Sequence, residues 1–250
     1  MLTDIKSALE SDGSHMQVLR QLMAPPISQD QFKLLCPKWP KSTEKMGSKV
    51  PPVSALACAD VFKVRRQRHL TSWLDRNGVP SQSQLRLILA NTALLIANQE
   101  FATTLRNHLA RKQENAVTNM LHAKGWAKLP SRLIDTRGAL PARHYMHKTR
   151  FATNTARPQE VDVACGLKGT YVLAMECKVT NDETNSVKRI NDVLKKATAW
   201  KAHWGSFVET AALLQGVIAA KDVARLIDAD VHVFWSHDLP AFEKWLSKRV

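Results

Sequence analysis

Asp162, Glu176 and Lys178 are the residues whose types and spacing could do chemistry. Asp162 lies in the run QEVDVACG, and Glu176 and Lys178 close the run TYVLAMECKV. Alternate side chains of a strand share a face, so Glu176 and Lys178 point the same way as Val172 and Ala174. Leu173, Met175 and Cys177 point the other way. A strand that is apolar on both faces and then presents a carboxylate and an ammonium is unusual. Buried charge is costly unless it is paired or binds something. Two carboxylates and a lysine on neighbouring strands suit metal-assisted phosphodiester hydrolysis. Carboxylate oxygens hold Mg2+, which stabilises transition-state charge and lowers the pKa of a bound water. A lysine beside them can orient or deprotonate that water and offset negative charge. The plainer alternative is a cross-strand salt bridge on an exposed edge, and the apolar flanks argue against an edge.

Register decides whether the two carboxylates meet. A three-residue loop Leu167–Lys168–Gly169 would pair Gly166 with Thr170. Asp162 then falls opposite Ala174, diagonal to Glu176 on the same face. A loop of even length would send Asp162 to the other face.

The surrounding elements must place these strands. The first hundred or so residues read as helical and irregular. Ser28 is an expected N-cap with Gln31 three residues on, and residues 36–52 read as a loop. A helix is expected over 54–76 and another over 81–97, the latter apolar around most of its surface and so expected to be buried. A further helix is expected from residue 98, closed by Gly125. Residues 131–158 are polar, basic and low in helix signal, with Gly138, Pro141 and Pro158. The two strands of the hairpin follow, then a helix over 185–204 capped by Thr184 or Asn185. A strand over 211–220, a helix KDVARLIDA, a strand DVHVFW and a last helix near Pro240, capped by Asp238, complete the chain. From residue 98 the order is α, β, β, α, β, α, β, α, an α/β layout with a mixed β-sheet flanked by helices.

Composition narrows the partner. The 250 residues carry 36 Lys+Arg against 22 Asp+Glu, a net charge of +14. An acidic polymer is the expected partner, nucleic acid above all. Hydrophobic residues make up 44% of the chain, which excludes a disordered basic tail. No apolar run approaches the roughly 18 residues of a spanning helix. The N-terminus carries Asp4, Glu10 and Asp12 and does not read as a signal peptide. Cys36, Cys58, Cys165 and Cys177 have no paired metal spacing and do not read as a disulfide framework, so a cytoplasmic location and no membrane association are expected.

The segment PQEVDVACGLKGTYVLAMECKVTNDETNSVKRIND resembles the PD-(D/E)XK nuclease signature of type II restriction endonucleases. Its tail ECKVTNDETNSVKRIND is similar to the XamI-type enzymes in particular, and the likeness extends to PPISQDQFKLLCP, QENAV and VHVFWSHDLPAF. Val161 stands where the named pattern has proline. The resemblance implies a restriction-endonuclease-like core over 98–250 behind a helical N-terminal region, 1–97. It implies Asp162 and Glu176 as metal ligands, Lys178 as catalytic lysine and the Cys177 carbonyl as a further metal ligand. Glu114 matches the glutamate that such folds often carry on the helix before the sheet, where it holds a second metal or orders a water. A surface Glu114 paired with Arg111 or Lys112 is the alternative. The implied activity is Mg2+-dependent, site-specific cleavage of double-stranded DNA, leaving a 5′-phosphate. A homodimer and a cognate DNA methyltransferase in the same system accompany it.

DNA-facing candidates follow. The helix after the catalytic strand offers Asn185, Ser186, Lys188, Arg189 and Asn191 near its N-terminus, with Asp192 beside them. The segment with Arg143, His144, His147, Lys148 and Arg150 is a second contact candidate. His144 and His147 lack the companion ligands of a zinc site. Two other readings share these features: a repair or recombination nuclease of the same fold, and a DNA-binding protein without catalysis.

Overall fold

The computed structural model describes residues 2–76, 78–180 and 183–250, with the side chains of 2, 3 and 183–185 left aside. The chain forms two compact units, Met1–Thr104 and Leu105–Val250. The division falls inside a helix, a few residues beyond the expected boundary at 97/98.

The first unit is helical: α1 (Leu2–Ser11), α2 (His15–Gln21), α3 (Gln29–Leu35), α4 (Pro52–Arg65) and the start of α5 (Gln82–Ala123). Its core gathers Leu9, Met16, Phe32, Trp39, Cys58 and Phe62. Ser28 caps α3 through a capping box with Gln31. The helix expected over 54–76 stops at Arg65. Arg66 turns extended, and its buried guanidinium bonds Thr71 and Asp75.

The two helices expected over 81–97 and from 98 onward are one helix of 42 residues, α5. No Gly or Pro interrupts Gln82–Ala123, so nothing breaks the hydrogen-bond ladder. Its first part is not buried as expected. Ile88 and Thr92, one turn apart, are buried, whereas Leu87, Leu89, Leu94 and Phe101 are exposed.

The second unit is built on a seven-stranded sheet in the order β1-β3-β4-β5-β6-β7, with β2 also pairing with β3. The strands are β1 (Ala127–Lys128), β2 (Leu133–Ile134), β3 (His144–Phe151), β4 (Gln159–Gly166), β5 (Val172–Thr180), β6 (Val208–Gly216) and β7 (His232–Trp235). β3, β4 and β5 are antiparallel, and β5, β6 and β7 are parallel. All nine residues of β5 are buried, as the central strand of a covered sheet requires. The C-terminal part of α5 and α8 (Leu239–Ser247) cover one face through Val117, Leu121, Phe242 and Leu246. α6 (Glu183–Trp204) and α7 (Ala220–Asp228) cover the other through Trp200, Trp204, Ile190, Val193 and Leu226. Asp238 caps α8 by accepting from the Ala241 amide. This is the expected α/β arrangement of a restriction-endonuclease-like core. β3 lies within 131–158, where no strand is expected.

Candidate active site

The hairpin register differs from the expected one by a step that keeps the faces. Gly166 pairs with Val172 and Val163 with Met175, so the loop runs over residues 167–171. The pairing ends at Val163–Met175, one position short of Asp162 and Glu176, so both lie just beyond the regular β4–β5 ladder. Gly169 takes a left-handed conformation in the loop, φ 68°. The Asp162 side chain reaches the end of β5: its Oδ2 accepts from the Cys177 amide at 2.8 Å.

Asp162 occupies a matched irregularity. The β3–β4 ladder holds one register on either side, yet the pair Lys148–Asp162 is missing from it. Lys148 has φ 52°, in the left-handed region. Both strands change faces there. Met146 and Phe151 pack under α6 although their numbers differ in parity, and Val161 packs under α6 while Val163 packs under α5. A carboxylate at such a break can reach the neighbouring backbone instead of lying along one face.

Glu176 faces α6 and has no exposure. Its Oε2 accepts from Lys178 Nζ at 2.6 Å and from Lys196 Nζ at 2.8 Å. Its Oε1 is buried and has no hydrogen-bond partner. Lys178 also pairs with Asp192 Oδ2 at 3.1 Å. Burial pushes the Glu176 carboxyl above its usual range and the charge of Asp162 adds to this, while Lys178 and Lys196 pull the other way. Burial opposes the Lys178 charge, but Glu176 and Asp162 outweigh it and hold the ammonium protonated beyond its usual range. Cys177 points to the α5 side, and burial raises its thiol, with the carboxylates of Asp162, Glu114 and Glu176 adding to the effect.

Glu114 lies on α5 and is buried, not paired at the surface with Arg111 or Lys112. His147 Nε2 lies 2.8 Å and Lys148 Nζ 3.1 Å from its Oε2. The face change at Lys148 is what lets two consecutive residues of β3 reach one carboxylate. Glu114 and Glu176 therefore approach from opposite faces of the sheet.

The DNA-facing candidates separate. Lys148 and Arg150 line a cavity of about 210 Å3 together with Asp162 and Glu160. Arg143 and His144 stand at the other end of β3, where the Arg143 amide bonds the Gly166 carbonyl. The His144 ring bonds the Ala142 carbonyl. On α6, Lys188 is exposed and Arg189 half-buried. Ser186 does not present itself to a ligand: it is buried, with its hydroxyl 3.3 Å from Asp222, because it lies on the core row of the helix. Asn191 accepts from Arg225 at 2.7 Å. The helix begins at Glu183, so Thr184 and Asn185 are inside it, and the Asn185 side chain lies outside the described residues.

A divalent cation fits this donor set. Among the described residues no three His, Cys, Asp or Glu side chains stand together as a metal cage. Mg2+ does not require one, since one or two carboxylates, waters and substrate phosphates suffice. The buried, unpartnered Oε1 of Glu176 is the oxygen such an ion would satisfy. The amide and carbonyl of one strand residue face the same neighbour, so the Cys177 carbonyl looks toward Asp162 as its amide does.

The model of the XamI restriction endonuclease family matches residues 1–235. The chain belongs to that family. The type II restriction enzyme XamI from Xanthomonas campestris pv. amaranthicola is 31% identical over 195 residues, covering 76% of this chain and 68% of that enzyme. A Vibrio cholerae protein of known crystal structure aligns with 97% of this chain and 56% of its own length, at a TM-score of 0.37 and 8% identity. The XamI family consists of type II restriction endonucleases, so the enzyme class, a site-specific DNA hydrolase, stands as expected. Among the described residues no helix is long and apolar enough to cross a membrane.

Sequence reasoning missed Lys196. It lies in the basic stretch 188–201 and looks like any solvated lysine there. The usable signal is its spacing: Lys188, Asp192 and Lys196 recur every fourth residue and form one row of α6.

Proposed function

We propose that this XamI-family chain is a Mg2+-dependent endonuclease cutting double-stranded DNA at a specific sequence, with Asp162 and Glu176 as metal ligands and Lys178 as the residue that positions the attacking water. The observation that carries this reading is the buried Glu176, whose Oε1 has no partner while Oε2 is held by ammonium groups. When bound, Mg2+ supplies charge to the reacting phosphate and makes water a better nucleophile. Glu176 and Asp162 favour the charged form of Lys178, which can donate a hydrogen bond to the water and offset negative charge. In-line displacement of the 3′ oxygen leaves a 5′-phosphate. The Cys177 carbonyl is a further ligand, and Glu114 orders groups from the opposite face.

Lys148 and Arg150 contact phosphates beside Asp162, and Lys188 and Arg189 do so along α6. A symmetric recognition site calls for a homodimer. The enzyme acts in the cytoplasm, alongside a methyltransferase that protects the host's own sites.

The test is incubation of varied plasmid DNA with the protein, with and without Mg2+. Discrete fragments in Mg2+ are expected. Tight binding without any cutting would defeat the enzyme reading, and a smear would favour a nuclease without sequence specificity. Lys178→Ala should lower cleavage by 100-fold or more, on the order of general positioning effects, while DNA affinity stays the same. The mass of the protein in solution, by sedimentation, tests the dimer.

A further inference from the structure

We infer that Lys196 is a positioning residue: it holds Glu176 Oε2 so that Oε1 stays turned toward the divalent ion, and it leaves Lys178 free to act on water. The inference rests on the reading of Asp162 and Glu176 as metal ligands.

The geometry is a chain of alternating charge. Asp192 pairs with Lys178 at 3.1 Å, Lys178 with Glu176 at 2.6 Å, and Glu176 with Lys196 at 2.8 Å. Both outer members come from α6, four residues apart on one row, and both inner members from β5. Two ammonium groups on one carboxylate oxygen repel each other. The arrangement makes sense if one of them has another place to go. Lys178 has one, because Asp192 can keep its charge company when it leaves Glu176. Among the described residues, the ion pair of Lys196 is with Glu176.

Lys196 is thus the cation that stays. Its side chain is only 16% exposed, so the bond is shielded from competing water. A fully buried carboxylate without a fixed donor can rotate or take up a proton. With Oε2 tied to a helix that is packed through Val193 and Ala197, Oε1 is held in one place. Groups of this kind, one bond behind a metal ligand, set its orientation, and their loss costs about 10- to 100-fold in metal affinity.

The experiment uses the whole chain and Mn2+ alone, titrated without DNA and followed by the paramagnetic resonance of the free ion. The variants are Lys196→Met, Lys196→Gln and Lys196→Arg. Two effects oppose each other. Removing a cation tightens binding of another cation, whereas removing the group that fixes a ligand weakens it.

Positioning predicts that Lys196→Met and Lys196→Gln bind Mn2+ about 10-fold or more weakly. They should need proportionally more Mg2+ for half-maximal cleavage and keep metal-free DNA affinity within about two-fold. Lys196→Arg should recover most of the affinity. Unchanged or tighter Mn2+ binding in either neutral variant overturns the inference, as does a fall in kcat with no change in the Mg2+ requirement. If Lys196→Met does not fold, Lys196→Gln against Lys196→Arg decides in the same way. Wild-type protein that never cuts DNA would defeat the proposed function, while the Mn2+ comparison would still stand by itself.

Discussion

At the scale of the residue, Glu176 carries most of the physics. It is buried among charges of both signs, and burial together with Asp162 pushes its carboxyl upward. Its folded pKa lies above its unfolded one. Its contribution to the stability of the metal-free fold is therefore fully present below the ordinary carboxylate value and lost as pH rises through the raised one. Ion binding runs the other way, because a proton and a divalent ion compete for the same oxygens. Mn2+ affinity should fall as pH is lowered through the raised Glu176 value, with a proton released on binding there. Calorimetry in buffers of different ionisation enthalpy measures that release, and no buffer dependence across the acidic range would show that Glu176 does not bind the ion. Asp162, Glu176 and Lys178 were legible in the sequence because charge at the end of an apolar strand is conspicuous. Lys196 was not, because a lysine on a basic helix looks the same whether it faces solvent or a buried carboxylate.

At the scale of the element, the end of β5 must lie tightly against β6 for Lys178 to hold its place. Thr180 pairs with Gly216, whose φ is 101° and whose missing side chain would stand 1.8 Å from the Thr180 carbonyl oxygen. Gly216→Ala should therefore cost about 2 kcal/mol or more and reduce cleavage by disturbing the strand end. Urea denaturation measures the first effect; an unchanged midpoint would mean that the strands part there at no cost. The same scale explains the missed strand. β3 changes faces at Lys148, so Tyr145 and Met146 before it and Phe151 after it do not form an unbroken alternation. A period of two is the signal of a strand, and a mid-strand face change erases it. At α5 the apolar run of 81–97 gives way to a more polar sequence, but no Gly or Pro stands there to end the helix.

At the scale of the whole molecule, the net charge of +14 sets how DNA is held. Binding should weaken with salt at a log–log slope of about 0.9 per phosphate contacted. Replacing Lys148 and Arg150 together by glutamine should lower that slope by about 2 if both touch phosphates. Filter binding between low and moderate salt reads it, and an unchanged slope would move the DNA track away from the Asp162 cavity. The sequence by itself determined the class of partner, the α/β layout and the strand that carries Glu176 and Lys178, because charge excess, strand parity and caps are local properties. The tertiary structure alone decided that the Asp162 carboxylate accepts from the Cys177 amide and that Glu114 meets His147 and Lys148. It also decided that Ser186 turns inward and Lys196 reaches the carboxylate. Those are contacts between residues far apart in the chain, and they depend on register and on which helix row packs against the sheet.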